Sequence, residues 1–164
     1  MKRIIVFLTA VLILAAVNFE IYKKEQLLTE GSTILLELAP VDPRSLMQGD
    51  YMILRYKIAG LAEATGTEQD GFLVLALDEN QVAHFVRIYQ DEILQPSEFL
   101  LQFRKRGRGI NLGSESFFFQ EGHAHLYSKA RYGELKVSKD GDSILIGLRD
   151  NDFNPLSSDN EVED

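Results

Sequence analysis

The sequence predicts a mainly β fold of the α+β class, in which an N-terminal transmembrane helix and stalk precede a compact antiparallel β domain with one short helix. Two observations carry this prediction. An unbroken apolar run from Ile4 to Val17 follows two basic residues at the N-terminus, as expected of a helix that enters a membrane. From residue 32 to residue 148, short β-branched and apolar segments alternate with clusters of Gly, Pro, Asn and Asp, as expected of strands joined by turns.

The charge distribution separates a tail from the rest of the chain. The 164 residues carry a formal net charge of −8. Residues 150–164 contain six acids and no Lys or Arg, so the tail accounts for −6 of this charge and leaves −2 for the rest. We therefore predict an anchor and stalk over residues 1–30, a β-rich domain over 31–149 and a disordered acidic tail over 150–164. A nearly neutral domain does not favour nucleic-acid binding.

The apolar N-terminus is predicted to be an uncleaved membrane anchor. The segment from Ile4 to Tyr22 is just long enough to span a bilayer. Ala15 and Ala16 are adjacent and do not form the spaced pair of small residues that a cleavage site needs. Residues 20–30 continue a helical pattern as a stalk, and Gly31 is typical of a helix end. A cleaved signal peptide and a buried helix of a soluble protein remain the alternatives.

The basic residues Lys2 and Arg3 set the predicted orientation. A short basic N-terminus before a first span normally stays in the cytoplasm, although Lys23 and Lys24 follow the span. The prediction is a single-pass protein of the cytoplasmic (inner) membrane whose domain faces the periplasm or the cell exterior.

Within the domain, hydrophobic periodicity and turn residues predict the following elements. Strands are expected over 32–38, 51–58, 98–104 and 110–119, with a flexible connection over 60–71 and a short helix over 121–131. Hairpins are expected between 72–77 and 82–89 and between 134–137 and 143–148. The Asp140-Gly141 pair in the second hairpin favours a type I′ turn. Along 51–58, alternation places Tyr51 and Tyr56 on opposite faces of the strand, so only one of them can enter the core.

The most distinctive segment runs from residue 40 to residue 56. It contains Gly49, Asp50, Tyr51, Leu54 and Tyr56 at the spacing G-D-Y-x-x-L-x-Y, preceded by the element P-V-D-P-R. This pattern resembles the GDYXXLXY family of bacterial proteins, and the resemblance extends over residues 25–148. It implies a membrane-anchored protein of unassigned molecular activity. Such proteins are often encoded near multi-spanning membrane proteins, which makes a multi-spanning membrane protein the expected partner.

The polar and aromatic residues of this segment have two interpretations. Asp42, Arg44, Asp50, Tyr51 and Tyr56 are candidates for binding a ligand or a partner. Alternatively, the segment fixes a tight loop and the start of a strand, with a carboxylate bonding backbone N–H groups. In that interpretation, the glycine before Asp50 supplies the backbone freedom that the strand entry needs.

Catalytic interpretations are weaker. Ser45 followed by Gly49-Asp50 faintly resembles signal-peptidase-like proteases, but Leu46 stands where those enzymes have Met and the spacing is short. A serine nucleophile also needs a base, and Lys57 lies in a predicted strand. An enzyme is therefore less favoured than a binding or accessory module. An envelope hydrolase, based on Ser45 or on a metal, is the alternative function.

Two further clusters are candidates for binding a metal or an anionic group. His123 and His125 are weak metal candidates, because they share a face only on a strand, and His84 and Glu121 would have to complete the site. No metal or other cofactor is predicted, since no metal, nucleotide or phosphate motif is present. The basic residues of segment 104–108 are typical of a solvated hairpin tip, or of a surface that meets anionic groups.

Overall fold

The computed structural model describes residues 2–39, 47–48, 51–63, 66, 69–107 and 109–157. Helix α1 spans Lys2–Glu30 and precedes a domain built mainly of short antiparallel strands. The strands are β1 Ser32–Glu37, β2 Met47–Gln48, β3 Tyr51–Ile53, β4 Gly71–Leu77, β5 Ala83–Ile88, β6 Glu98–Arg106, β7 Gly109–Asn111, β8 Ser116–Phe118, β9 Tyr132–Val137, β10 Ser143–Arg149 and β11 Pro155–Leu156. Helix α2 spans Lys57–Glu63, and a 3₁₀ helix spans His123–Lys129. The predicted fold class is confirmed.

The strands form three sheets. Two have four strands, in the orders β1-β9-β10-β11 and β5-β4-β6-β7, and a smaller one has the order β2-β3-β8. The four-stranded sheets are linked where the backbone N–H of Leu35 donates to Gln81 O at 2.9 Å and where the N–H of Gln102 donates to Gly141 O at 2.9 Å. The small sheet continues from the end of β1, because the N–H of Ala39 donates to Arg55 O at 2.7 Å.

A single hydrophobic cluster connects all three sheets with α2 and the 3₁₀ helix. Its fully buried large side chains belong to β1, β4, β6, β9, β10 and the segment after β3; they include Ile34, Leu36, Leu54, Leu73, Leu75, Leu101, Phe103, Leu135 and Leu148. The 3₁₀ helix contributes Tyr127, whose ring centroid lies 4.9 Å from that of Phe117 and 5.4 Å from that of Phe119. The predicted short helix is therefore present and closes one side of the core.

The predicted strand over 51–58 is too long by its last residues. Strand β3 ends at Ile53, and Tyr56 forms only an isolated bridge with Leu38. The chain then forms α2, which runs into the predicted flexible connection. Ile58 and Ala62 are both buried, and their spacing of four residues brings them to one face of a helix. The helical period therefore prevails over the strand period from residue 57 onward, where packing against β5 and β7 decides the structure.

The second predicted hairpin is present with a different turn. Gly141 has φ +88°, whereas Asp140 does not have positive φ, so the type I′ prediction is wrong. The N–H of Gly141 donates to Ser138 O and the N–H of Ser138 donates to Asp142 O, at 3.1 and 2.8 Å. These bonds define a three-residue loop that ends in a left-handed glycine. A Cβ at Gly141 would also lie 2.9 Å from the Phe72 ring.

The chain stays folded beyond the predicted start of the tail. The Asp150 carboxylate accepts hydrogen bonds from the N–H groups of Asp152 and Asn154, both at 2.9 Å. This turn places Phe153 against Tyr132, with ring centroids 5.0 Å apart, and Leu156 then pairs with Leu148. The prediction that the chain is disordered from residue 150 is wrong for residues 150–157. Hydrogen bonds to the Asp150 carboxylate and the contact between two aromatic rings order this segment despite its acidic composition. Residues 158–164 lie outside the described part.

Candidate functional site

The signature strand β3 is the central strand of the small sheet. Tyr51 pairs with Phe118 of β8 and Met52 with Phe117, while Gln48 of β2 pairs with Tyr51 on the other side. Only two residues, Gly49 and Asp50, separate the paired strands β2 and β3, and both lie outside the described residues. The prediction that Gly49 needs backbone freedom therefore stays a prediction.

The inner face of the signature strand belongs to the core. Met52, Leu54 and Tyr56 are 2–3% exposed. The Tyr56 hydroxyl donates a hydrogen bond to Ser114 O at 2.6 Å. Burial, reinforced by the nearby Glu115 carboxylate, raises the pKa of Tyr56 well above its ordinary value, so that the phenol stays protonated. Leu54 and Tyr56 of the signature thus have a structural role.

Two neighbours complete the environment of the buried Tyr56 ring. A Cβ at Gly133 would lie 3.0 Å from Cε1 and 3.2 Å from the hydroxyl oxygen of Tyr56, so this glycine leaves room for the ring. The hydroxyl of Ser114 is buried without a hydrogen-bond partner among the described residues. The tyrosine consequently ties β3 to the loop before β8 and to β9 across the core.

The outer face of the same strand is exposed. Ile53 is 42% exposed and Phe118 is 74% exposed, and the rings of Tyr51 and Phe118 lie with centroids 5.7 Å apart at 37°. Arg55 continues this face as an exposed residue. We call these four residues, Tyr51, Ile53, Arg55 and Phe118, the outer signature face.

The residues of this segment therefore divide into three groups. Tyr51 and Tyr56 lie on opposite faces of the strand, as alternation predicts, and Tyr56 is the core residue. Asp42, Arg44 and Asp50 lie outside the described residues, and their predicted binding roles stay predictions. Ile53, Arg55 and Phe118, which complete the outer face, are not among the site residues predicted from the sequence. Strand alternation places Ile53 and Arg55 on the same face as Tyr51, but the pairing of β8 with β3 was needed for Phe118.

The hydrolase alternative gains no support from the described residues. Ser45 lies outside them. Lys57, the candidate base, lies at the start of α2, and its Nζ contacts a Glu37 carboxylate oxygen at 3.0 Å. The one buried hydroxyl without a partner in the described part, that of Ser114, lies beside a tyrosine whose raised pKa keeps it from acting as a base.

The histidines do not converge on a metal site. In the described part of the chain, no group of three His, Asp or Glu side chains is arranged to hold a metal ion. His123 and His125 lie on the 3₁₀ helix, where His125 Nδ1 is 3.1 Å from Gly122 O. His84 Nε2 instead lies 3.2 Å from the Asp78 carboxylate, which also accepts the N–H of Val82 and so belongs to a turn.

Partly buried ion pairs connect strands within both four-stranded sheets, and the sequence did not predict them. The Arg87 guanidinium contacts the carboxylates of Glu98 and Glu92, at 2.5 and 2.7 Å, and its bonds lower the pKa of Glu98 to about 2. Arg149 binds Glu134 across β9 and β10 at 2.7 and 2.9 Å. The Arg149 pair joins the neighbouring strands β9 and β10, and the Arg87 cluster joins β5 to the start of β6 across the intervening strand β4, so both have a structural role.

Helix α1 and the β domain share a closely packed joint. Leu27, in the last turn of the helix, is 5% exposed, whereas the neighbouring Leu28 is 42% exposed. Lys136 of β9 donates to Gly31 O at 3.1 Å, which binds the end of the helix to the sheet. A Cβ at Gly31 would lie 2.4 Å from Leu27 O. Strand β1 begins at the next residue, so no linker separates helix and domain.

The part of α1 before this joint is exposed and apolar. It is the one helix in the described part that is long and apolar enough to cross a membrane, with a mean hydropathy of 2.5 over the candidate span and none of that span buried. The structure therefore defines a class of protein, a mainly β domain carried by an N-terminal apolar helix that suggests membrane association.

The comparison with known families identifies the protein more closely. A family model described as "GDYXXLXY protein" matches residues 13–148, which is most of the chain. The chain belongs to this family. The match begins inside α1, so the second half of the apolar helix is part of what defines the family. No curated protein and no solved structure matches the chain.

Proposed function

We propose that the chain is a membrane-anchored extracytoplasmic accessory or binding module that acts with another membrane protein. The observation that carries the proposal is the joint between α1 and the domain. Leu27 is buried with the strands, while the preceding helix exposes a mainly apolar surface over its span, so one helix serves both the membrane and the fold. A domain held in this way stays near the bilayer, where a membrane partner is found.

The proposed location is the cytoplasmic (inner) membrane, with the domain in the periplasm or at the cell exterior. The basic start of the chain supports this orientation. Counting from Tyr22, where the proposed span ends, the eight residues to Glu30 add roughly 12 Å of helix at about 1.5 Å per residue. The domain would therefore begin close to the headgroups and remain within reach of the outer loops of a multi-spanning protein.

The anchor is tested by alkaline carbonate extraction combined with intact-mass measurement of the mature chain. We expect the protein to stay in the membrane pellet with its first twenty residues present. A mass that lacks this segment would show that α1 is a cleaved signal, and release of the intact chain into the supernatant would show that α1 does not anchor it.

Orientation is tested with a single-cysteine variant, because the chain contains no cysteine. Asn151→Cys places a thiol in an exposed turn of the domain. A membrane-impermeant maleimide that cannot cross the cytoplasmic membrane should label this thiol in intact cells, and the cysteine-free wild type gives the background. Labelling only after lysis would place the domain in the cytoplasm.

The accessory role is tested by purifying the full-length chain from its native membranes in mild detergent. A stoichiometric membrane protein that stays bound through size exclusion is the expected result. Labelling of Ser45 by a serine-reactive probe, or stoichiometric metal in the purified protein, would support the hydrolase instead.

A further inference from the structure

We propose that the outer signature face binds an extended segment of the partner protein, in which an apolar side chain and a carboxylate are separated by one residue, in either order. This inference rests on the proposed function and deepens it, because it identifies the surface and the chemistry of the partner. The surface consists of Tyr51, Ile53 and Arg55 on one side of the signature strand and Phe118 on the neighbouring strand.

The apolar part of this face lies on the side of the strand opposite the core. Met52, Leu54 and Tyr56 fill the core from the other side of the strand and are nearly inaccessible, whereas Ile53 and Phe118 are 42% and 74% exposed. Other large apolar side chains exposed in the described part of the domain lie on separate elements or loops: Leu61, Val86, Ile93 and Ile146. The aromatic pair and the diagonal isoleucine are therefore a contiguous apolar platform.

Strand β8 adds an open backbone edge to this platform. It is the last strand of its sheet in the described part of the chain, next to β3 and with no further strand beyond it. An edge strand presents N–H and C=O groups that can pair with an added strand. Because Phe118 lies on that edge strand, a segment paired with β8 would place alternate side chains against the aromatic platform. The geometry thus favours an extended occupant over a helix.

The charge on the partner follows from Arg55. Its side chain is exposed and forms no ion pair with a described acid. The nearby Glu115 carboxylate is directed elsewhere and accepts the N–H of Leu112. Arg55 lies two residues beyond Ile53, a separation of roughly 6.6 Å on an extended strand. An acid two positions from an apolar residue in the partner would match this spacing and complete a charge-assisted hydrogen bond.

The experiment uses the full-length chain in its native membranes, with the photo-crosslinking residue p-benzoylphenylalanine in place of Phe118. The matched control carries the same probe in place of Ile93, whose side chain is 96% exposed and lies on a loop outside the outer signature face. We expect a membrane protein to be captured from position 118 and not from position 93. Mass spectrometry should place the crosslink in a segment that contains an apolar residue and an acid separated by one residue.

Charge reversal then tests the pairing. Arg55→Glu should lower the capture by about tenfold, a change of about 1.4 kcal/mol, since like charges oppose the contact. Reversing the acid of the captured segment to Lys should restore capture by Arg55→Glu. Because Arg55 is exposed, the variant should unfold at the same urea concentration as wild type, which separates lost binding from lost folding.

Several results would overturn the proposal. Equal capture from positions 118 and 93, an unchanged yield with Arg55→Glu, or a crosslink to lipid, to a second copy or to residues 158–164 of the same chain would each do so. If wild type still co-purifies with a membrane protein in any of these cases, the accessory role stands and only this surface is wrong. If wild type co-purifies with nothing, the proposed function fails as well.

Discussion

Replacing the buried Tyr56 with Phe removes one oxygen from the core and keeps the ring. The 2.6 Å hydrogen bond to Ser114 O is lost, and that carbonyl is left without its donor in a site where the tyrosine is 3% exposed. An orphaned buried acceptor costs about 1–3 kcal/mol. We therefore expect Tyr56→Phe to lower the free energy of unfolding by about 1–3 kcal/mol, which for a chain of this size corresponds to a fall in melting temperature of roughly 2–12 °C.

The assay is urea unfolding of the full-length chain in detergent micelles, followed by near-ultraviolet circular dichroism. Tyr132→Phe is the matched control, because the Tyr132 ring packs on Phe153 and its hydroxyl has no hydrogen bond to a described residue. The control should change the free energy of unfolding by less than about 0.5 kcal/mol. An equal loss in both variants would show that the buried hydrogen bond is not what distinguishes Tyr56.

The pH dependence of the free energy of unfolding, measured for wild type and for Tyr56→Phe, gives an independent test. The folded-state pKa of Tyr56 is raised above its ordinary value of 10.0, so above pH 10 the unfolded chain releases a proton that the folded chain retains. Its contribution is complete below pH 10 and declines above that pH by about 1.4 kcal/mol per pH unit. The advantage of wild type over Tyr56→Phe should therefore narrow between pH 10 and pH 11. Parallel stability curves for the two proteins would refute the reasoning.

Three further predictions concern the joint, an unpaired hydroxyl and an ion pair. Leu27→Ala should lower the free energy of unfolding by about 2–4 kcal/mol in urea titrations, whereas Leu28→Ala, next to it and 42% exposed, should leave it unchanged; similar losses would contradict a buried joint. Ser114→Ala should leave stability unchanged or raise it by up to about 1 kcal/mol in thermal melts, because its hydroxyl is buried without a described partner; a clear loss would reveal a partner. Since Arg87 lowers the pKa of Glu98 from 4.5 to about 2, their pairing stabilises the fold above pH 4.5 and is lost as the pH falls toward 2. Glu98→Gln should flatten acid unfolding in that range, and an unaltered profile would exclude the pairing as a cause.

The sequence predicts the fold class well because most of its signals are local. Alternation along the signature strand places Met52, Leu54 and Tyr56 on the buried face, and the structure has them there. Turn residues likewise mark both hairpins. Helix α2 was missed because Ile58 fits the strand alternation as well as it fits a helical pair with Ala62. Only packing against β5 and β7 selects between the two periods.

The candidate site is less accessible from sequence because it depends on distant pairings. Tyr56 and Ser114, which share a hydrogen bond, are 58 residues apart in the chain. Phe118 joins Tyr51 only through the register of β3 and β8. Local periodicity gives the face of each strand, but it does not give the neighbour that the strand acquires.

The absence of a linker at Gly31 makes the orientation of the domain depend on bilayer thickness. If α1 spans a bilayer as proposed, a thinner membrane would tilt the helix to keep its apolar length covered, and tilts of about 20° are ordinary for single spans. A flexible stalk would absorb that rotation. Here the buried Leu27 and the hydrogen bond from Lys136 hold the helix end against the sheet. The domain would therefore tilt by the same angle as the helix. In membranes of different thickness it would present a different side to neighbouring proteins.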